Sequence, residues 1–363
     1  MAENSKIEWT THTLNPWRGC TKVAPGCQHC YADDLSKRNP GTLGVWGPNG
    51  TRVVASESMW REPIKWDAAA KAAGERHRVF CASLADVFED WPGQIKDSNG
   101  EDVCVCHGCG DWVRFIQREC STKDCREERL PRALTIADVR DRLFGLIDAT
   151  PHLDWLLLTK RPENIRRMLV PHLIENVPGH VRQNEGDGKR IRIRPNVWLG
   201  TSISDQATAD RNIPLLLKCR DLSPVLFVSA EPLLGPVEIK DYTSGASIRS
   251  DNGRPLWIDW LIAGGESGHH ARPMHPDWVR DLRDRCVEDE IPFLFKQWGE
   301  YGPDQVSSVR FTPVPSGIPM DEPASMFRVG KKAAGRLLDG QLWDQYPTTS
   351  VNITDSTNEK GGE

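Results

Sequence analysis

The chain has 363 residues, with 46 Lys and Arg against 51 Asp and Glu and a formal net charge of −5. That length suits one large domain with elaborations or two ordinary ones, and the charge excludes a global pull toward polyanions, so any nucleic-acid contact has to rest on a local basic patch. No apolar run reaches the length of a bilayer crossing, and the opening "MAENSKIEWTTHT" has no basic patch leading into an apolar run, so a soluble, cytoplasmic protein with no membrane partner is expected.

In chain order, "THTLNPW" (11–17) reads as a first strand, and six short apolar runs follow, each ending in polar residues. They are "VFCASLADVF" (79–88), "WLLLTKR" (155–161), "VWLGTSIS" (197–204), "VLFVSAEP" (225–232), "WLIAGGES" (260–267) and "PFLFKQWG" (292–299). Continuous apolar runs are expected of strands covered on both faces. Helical patterns fill the gaps: Thr135 caps a segment with Ile136, Val139, Leu143, Leu146 and Ile147 on one face, and "HPDWVRDLRDRC" spaces Trp278, Leu282 and Cys286 four apart. Strands alternating with helices imply an α/β fold, and about seven units are enough for a full or partial (β/α) barrel of the TIM type. An open doubly wound sheet is the alternative, with no glycine-rich phosphate loop after the first strand to favour it.

Two stretches interrupt the alternation. Residues 92–131 are polar and cysteine-rich and read as an insertion, while 180–195 carries a Gly-Asp-Gly turn followed by alternating basic and Ile residues, as in a hairpin with a basic face. The expected organisation is a barrel over 1–315 containing the 92–131 insertion, a basic C-terminal extension over 316–347 and a disordered tail over 348–363.

A parallel barrel carries its active site at the C-terminal strand ends. Those ends hold Asp86, Lys160, Arg161, Ser202, Ser204, Glu231, Glu266, Lys296 and Gln297. Their concentration at successive strand ends marks a candidate site, with Lys160, Glu231, Glu266 and Lys296 as candidate catalytic groups.

The eleven cysteines are bunched, which favours metal or cluster ligation over a disulfide framework in a reducing compartment. Cys81, Cys219 and Cys286 stand alone in apolar surroundings and read as core residues. In the insertion, Cys106 and Cys109 enclose two residues, and Cys120 and Cys125 enclose four. Such pairs suit a structural zinc site that staples a short polar segment near the barrel mouth, with Cys104 spare and His107 an alternative ligand. After the first strand, Cys20, Cys27 and Cys30 enclose six and then two residues. Zinc with His29 or His12 is one reading of this group. The other is a four-iron cluster on three thiolates, which leaves one iron open to bind something else.

The stretch "GCTKVAPGCQHCYA" at the end of a first barrel strand resembles the cluster loop of radical S-adenosylmethionine (SAM) enzymes, especially the spore photoproduct lyase-like branch. The first gap, six residues where that superfamily usually has three, matches a narrower group, the three-cysteine-motif proteins of phages and prophages. Its other marks read here as "LTKRPENI" (158–165), "LGTSIS" (199–204), "VSAEPLLGPV" (228–237), "WLIAGGESGHHARPMHPDWVRDLRDRC" (260–286), "PFLFKQWGE" (292–300) and "VGKKAAGRLLDGQLWDQYP" (329–347). The resemblance implies a partial barrel with a 4Fe-4S cluster on Cys20, Cys27 and Cys30, SAM on the open iron, and hydrogen abstraction by a deoxyadenosyl radical. It also implies an electron donor such as flavodoxin or ferredoxin, and a host-cytoplasm setting if the protein is phage-encoded. The superfamily's Gly-Gly-Glu follows the second strand, whereas Gly264-Gly265-Glu266 follows the sixth, so that role does not transfer by position. Ser202, Ser204, Glu231 and Tyr31 are the candidates for holding SAM.

Phage members of this group are associated with hypermodified thymine. The resemblance therefore implies DNA or a modified nucleotide as substrate and an isomerase that moves a glycyl adduct of thymine from an N-linked to a C-linked attachment. A carbon beside nitrogen has no acidic proton for an ordinary base, which suits radical chemistry. Lys160, Arg161, Arg166, Arg167, Arg272 and the 189–194 ribbon are candidate phosphate contacts, and Trp17, Trp298 and Tyr31 candidate stacking platforms. A pyrimidine-lesion repair lyase and a non-enzymatic, zinc-stapled nucleic-acid-binding protein are the competing readings.

Overall fold

The computed structural model describes residues 5, 7–106, 112–114, 131–176, 189–191, 193–243, 249, 256–304, 311–317 and 322–348. Seven parallel strands form one sheet in sequence order: β1 (His12–Leu14), β2 (His77–Cys81), β3 (Leu153–Thr159), β4 (Val197–Ile203), β5 (Val225–Ala230), β6 (Trp260–Gly264) and β7 (Phe293–Gln297). The expected first strand and the six apolar runs thus become neighbours in one sheet. β1 and β7 are its edges, and the sheet is curled, since side chains from β2, β3, β4, β5 and β7 line a single cavity. The architecture is a partial α/β barrel.

Strand alternation sorts the side chains. Trp155, Leu157, Leu199, Leu226, Val228, Leu261 and Phe295 point outward into a core shared with the helices. Leu156, Trp198, Phe227, Trp260, Ile262 and Leu294 point inward and meet Trp9 in a second apolar cluster on the concave side. Aromatic rings dominate this floor, with Trp9 4.6 Å from Phe80 and Phe227 5.7 Å from Trp260. The floor is tight enough to require a glycine at 200, where a Cβ would stand 2.3 Å from the Phe227 ring.

The first strand is shorter than its apolar run suggests. Pro16 has no N–H for a ladder, and Asn15 turns its side chain to accept a hydrogen bond from the Leu84 N–H at 2.7 Å. Trp17–Arg18 then pairs with Arg52–Val54 in a separate small sheet. Among the helices, α1 (Tyr31–Arg38) follows the first cysteine group and α2 (Glu57–Ala73) leads into β2. α3 (Ile136–Asp148) starts on a reciprocal capping box between Thr135 and Asp138 and buries Ile136, Val139, Leu143 and Ile147. α4 (Gln206–Leu217) and α5 (Pro276–Glu288) follow β4 and β6, and α5 buries Trp278, Leu282 and Cys286 as the four-residue spacing requires. Cys81, Cys219 and Cys286 are all buried.

The exposed edge of β7 is covered by the C-terminal segment: Trp343 and Gln345 exchange backbone hydrogen bonds with Phe295 and Phe293. Tyr346 then reaches the N-terminal end of the barrel, where its hydroxyl donates to the Glu8 carbonyl at 3.1 Å and its ring lies under Arg78. The described part of the insertion puts Val103–Val105 and Trp112–Arg114 into a three-stranded sheet with Arg132–Ala133, which follows it in the chain. Trp112 docks it edge-on against Trp60 of α2 and under Arg142 of α3. Lys189–Ile191 pairs antiparallel with Ile174–Asn176, a strand that precedes the 180–195 stretch expected to form the hairpin, and the Gly-Asp-Gly turn lies outside the described residues. No helix among the described residues is long and apolar enough to cross a membrane.

Candidate active site

At the C-terminal end of the sheet the inward positions change from aromatic to polar. Continuing the inward series Phe80, Leu158, Trp198, Phe227 and Leu294 by two or four residues gives Ala82, Lys160, Ser202, Ser229 with Glu231, and Lys296, all of which line one cavity of about 590 Å³. That volume is in the range that holds a nucleotide-sized molecule, ~300–1,000 Å³. The register between β6 and β7 slips by one residue after Ala263, so Lys296 is a bulged position and both Lys296 and Gln297 line the cavity.

Cys20, Cys27 and Cys30 line the same cavity as Tyr31, Glu266 and the strand-end residues. All three are free thiols, half-buried. Burial pushes the Cys20 thiol up to about 12, aided by the carboxylates of Glu89 and Asp86 and opposed by Arg161. Burial also raises Cys30, against the N–H groups of Asp33 and Ala32 in the first turn of α1 and the charge of Lys160. Thiols in this state bind metal cations by giving up a proton. Among the described residues no group of three or more His, Cys, Asp or Glu side chains is already drawn together to hold a metal ion. A four-iron cluster takes each thiolate on a different iron, so its ligands ring a volume, and three free thiols around one cavity fit that group.

The cysteine loop is fixed from two sides. On one side Arg161 donates from Nη1 to Asp86 at 2.8 Å and to Cys20 Sγ at 3.7 Å, and from Nη2 to the Thr21 carbonyl at 2.7 Å. Glu89 accepts from the Thr21 N–H at 2.8 Å and from Arg52 through two bonds of 2.8 Å. Arg52, Glu89, Asp86 and Arg161 are all buried. On the other side Arg272 grips Glu266 through Nη2 at 2.7 Å and Nε at 2.9 Å, and reaches the Pro25 carbonyl and the Gln28 side chain. Burial opposes ionisation of Glu266, but the hydrogen bonds from Arg272 outweigh it and hold the carboxyl below its ordinary value. His29 stands 3.4 Å from the same carboxylate.

These contacts reassign several residues. Arg161 and Arg272 bond to the cysteine loop, while the exposed Arg166 and Arg167 pair with Asp221 and Asp90 at the surface. Trp17 and Trp298 are buried in the core and offer no face to a base. Tyr31 is exposed at the rim, its hydroxyl donating to the Ser83 carbonyl at 2.9 Å. Glu231 and Lys296 form an ion pair at 2.6 Å, and Ser202 donates to the Glu231 carbonyl at 3.1 Å. Lys160 lines the cavity with no carboxylate in ion-pair range of its Nζ among the described residues. Ser204 lies outside the cavity lining, beneath the cysteine loop, where a Cβ on Gly26 would meet its Oγ at 2.3 Å. Cys104 and Cys106 are buried, while Cys109, Cys120, Cys125 and His107 lie outside the described residues. No described residue of the insertion lines the cavity, so that part of it does not form the mouth.

Trp46, Ser229 and the Arg52–Glu89 pair escaped the sequence reading. Ser229 carried a signal, since it sits two residues before Glu231 on the same face of β5. Arg52 and Glu89, 37 residues apart, carried none.

The family profile described as "Protein of unknown function (DUF5131)" matches residues 4–107 and 115–347. No curated protein matches the chain. Among solved structures, a spore photoproduct lyase mutant is similar at 10% identity, over 90% of this chain and 71% of that one, with a TM-score of 0.39. A second spore photoproduct lyase mutant, with bound AdoMet and dinucleoside spore photoproduct, is similar at 10% identity over 87% and 68%, with a TM-score of 0.36.

Proposed function

The chain belongs to the DUF5131 family, and from that premise we propose that it is a radical SAM enzyme acting on a modified DNA pyrimidine. One observation carries the reading: three free thiols, Cys20, Cys27 and Cys30, line one cavity at the C-terminal mouth of an open parallel barrel. Bound to these thiols, a 4Fe-4S cluster with one iron free of cysteine would supply an electron and a coordination site for SAM, and so a deoxyadenosyl radical able to take hydrogen from an unactivated carbon.

The remaining work falls to the chain's own residues. Lys160, a cation facing the cavity with no carboxylate partner among the described residues, is suited to a carboxylate or phosphate of the bound molecules. Glu231, paired with Lys296 at 2.6 Å, faces the cavity as an acceptor for hydroxyl or ammonium donors, and Ser202 presents its oxygen lone pairs beside it. Tyr31 at the rim offers a ring for stacking. The aromatic floor closes the cavity from below and keeps water from a reactive radical. Glu266, a candidate catalytic group, lines the cavity and also supports the cysteine loop through Arg272.

Within this reading the finer assignment is an isomerase rearranging a glycyl adduct of thymine from an N-linked to a C-linked attachment; it rests on the phage resemblance of the cysteine loop. Zinc on Cys106, Cys109, Cys120 and Cys125 is proposed on ligand spacing. The test is anaerobic purification with iron, sulfide and zinc counts, followed by deoxyadenosine release from SAM with dithionite. Well-reconstituted protein with zinc but no iron at the first cysteine group would leave a zinc-stapled binding protein. Mass spectrometry of nucleosides from modified DNA then separates isomerised, cleaved and unchanged pyrimidine.

A further inference from the structure

Four charged side chains are buried together behind Cys20: Arg52, Asp86, Glu89 and Arg161. Two cations and two anions leave the group neutral, and burying them is costly unless each is hydrogen-bonded. They are. Asp86 accepts from Thr159 Oγ at 2.7 Å, from the Phe88 and Lys160 N–H groups at 3.0 and 3.1 Å, and from Arg161. Glu89 accepts from Arg52, Arg161 and the Thr21 N–H. Arg161 alone joins this network to a sulfur, through Nη1 at 3.7 Å from Cys20 Sγ. Its charge is fixed by the pair with Asp86, so it cannot swing away from the cysteine without breaking a buried ion pair.

A loop anchor needs only the bond from Arg161 to the Thr21 carbonyl. The second contact, to the thiol itself, puts a guanidinium donor on an atom that becomes a cluster ligand in the reading above. Hydrogen bonds to ligand sulfurs and nearby charge are two of the levers that set an iron–sulfur reduction potential. Resting on that reading, we propose that Arg161, opposed by Asp86, is a positioning residue that sets the reduction potential of the cluster held by Cys20, Cys27 and Cys30. The donated hydrogen bond withdraws electron density from the Cys20 sulfur and favours uptake of one electron from a low-potential donor. The Asp86 carboxylate on the same guanidinium limits that effect. No bond to the protein is made or broken in the transfer.

The test is an anaerobic potentiometric titration with dithionite, followed by electron paramagnetic resonance, on iron-reconstituted wild type and two variants. Arg161→Gln is expected to move the midpoint potential negative, and Asp86→Asn to move it positive, each read on the cluster-loaded fraction, since both changes loosen the Thr21 anchor. The amide of Asp86→Asn faces donors and costs stability, but the sign of the potential reports charge. Arg161→Lys, which keeps the charge and loses the fork, is expected to give a smaller negative shift and serves if Arg161→Gln is insoluble. Unchanged potentials, or shifts of one sign in both variants, would overturn the inference while leaving the radical SAM reading intact. Wild type that takes up no iron would overturn both.

Discussion

The two anchorages of the cysteine loop differ in kind. Thr21, next to Cys20, is held by Arg161 and Glu89, whose side chains are 8% and 2% exposed, whereas Pro25 and Gln28, on either side of Cys27, are held by Arg272, which is 28% exposed. Losing a partner from the first leaves a charge with no water to turn to; in the second, losing Glu266 leaves a guanidinium that solvent can take over, while losing Arg272 strands one carboxylate that is itself only 5% exposed. The six residues between Cys20 and Cys27 therefore span two supports of unequal strength. The Cys20 end belongs to the core of the fold, and the Cys27 end is adjustable.

Three substitutions test that inequality in decreasing order of effect. Glu89→Ala strips Arg52 and Arg161 of a shared carboxylate and should cost about 3–5 kcal/mol, read by urea unfolding with chelator present so that bound metal does not contribute. Gly26→Ala places a methyl against Ser204 Oγ, at 2.3 Å, and should cost about 1–3 kcal/mol as an overpacked contact. Adding Ser204→Ala should return part of that loss, and a double mutant no better than Gly26→Ala would show that the two do not touch. Arg272→Ala unpairs one buried carboxylate where Glu89→Ala unpairs two guanidiniums, so it should cost less than Glu89→Ala, about 1–3 kcal/mol, and it should speed amide exchange around Cys27 and lower iron uptake. Equal losses for Glu89→Ala and Arg272→Ala would erase the contrast.

The strands were legible because a strand covered on both faces is apolar throughout, and the polar residue ending each run is where the cavity begins. Parity carried part of the site as well: Lys160, Ser202, Glu231 and Lys296 each continue an inward series of alternate residues. The partners of the arginines were not legible for a physical reason. A strand-end guanidinium looks the same in sequence whether it meets a ligand's phosphate or, as Arg161 and Arg272 do, a carboxylate and a loop carbonyl. Which it meets depends on Glu266, six residues before Arg272, and on Asp86, 75 residues before Arg161. Ser204 shares its parity with Ser202, but the chain turns after Ile203 and places it under Gly26. Trp17 and Trp298 show the same limit, since a tryptophan beside a strand end looks alike whether it faces solvent or core.

The smallest effect concerns pH and isolates the outer anchorage. Glu266 has its carboxyl held below the ordinary value because the hydrogen bonds from Arg272 overcome the effect of burial. A carboxyl with a depressed folded pKa contributes stability that is fully present above the unfolded value, about 4.3 for Glu, and is lost as pH falls through the folded value. Arg272→Ala removes that contribution while leaving other titrating groups, such as Asp138 in the α3 cap, common to both proteins. The difference in unfolding free energy between wild type and Arg272→Ala should therefore be largest near neutral pH and shrink below about pH 4. A difference that stays constant across that range would mean that Arg272 holds the loop through its bonds to Pro25 and Gln28 alone, with the ion pair contributing nothing.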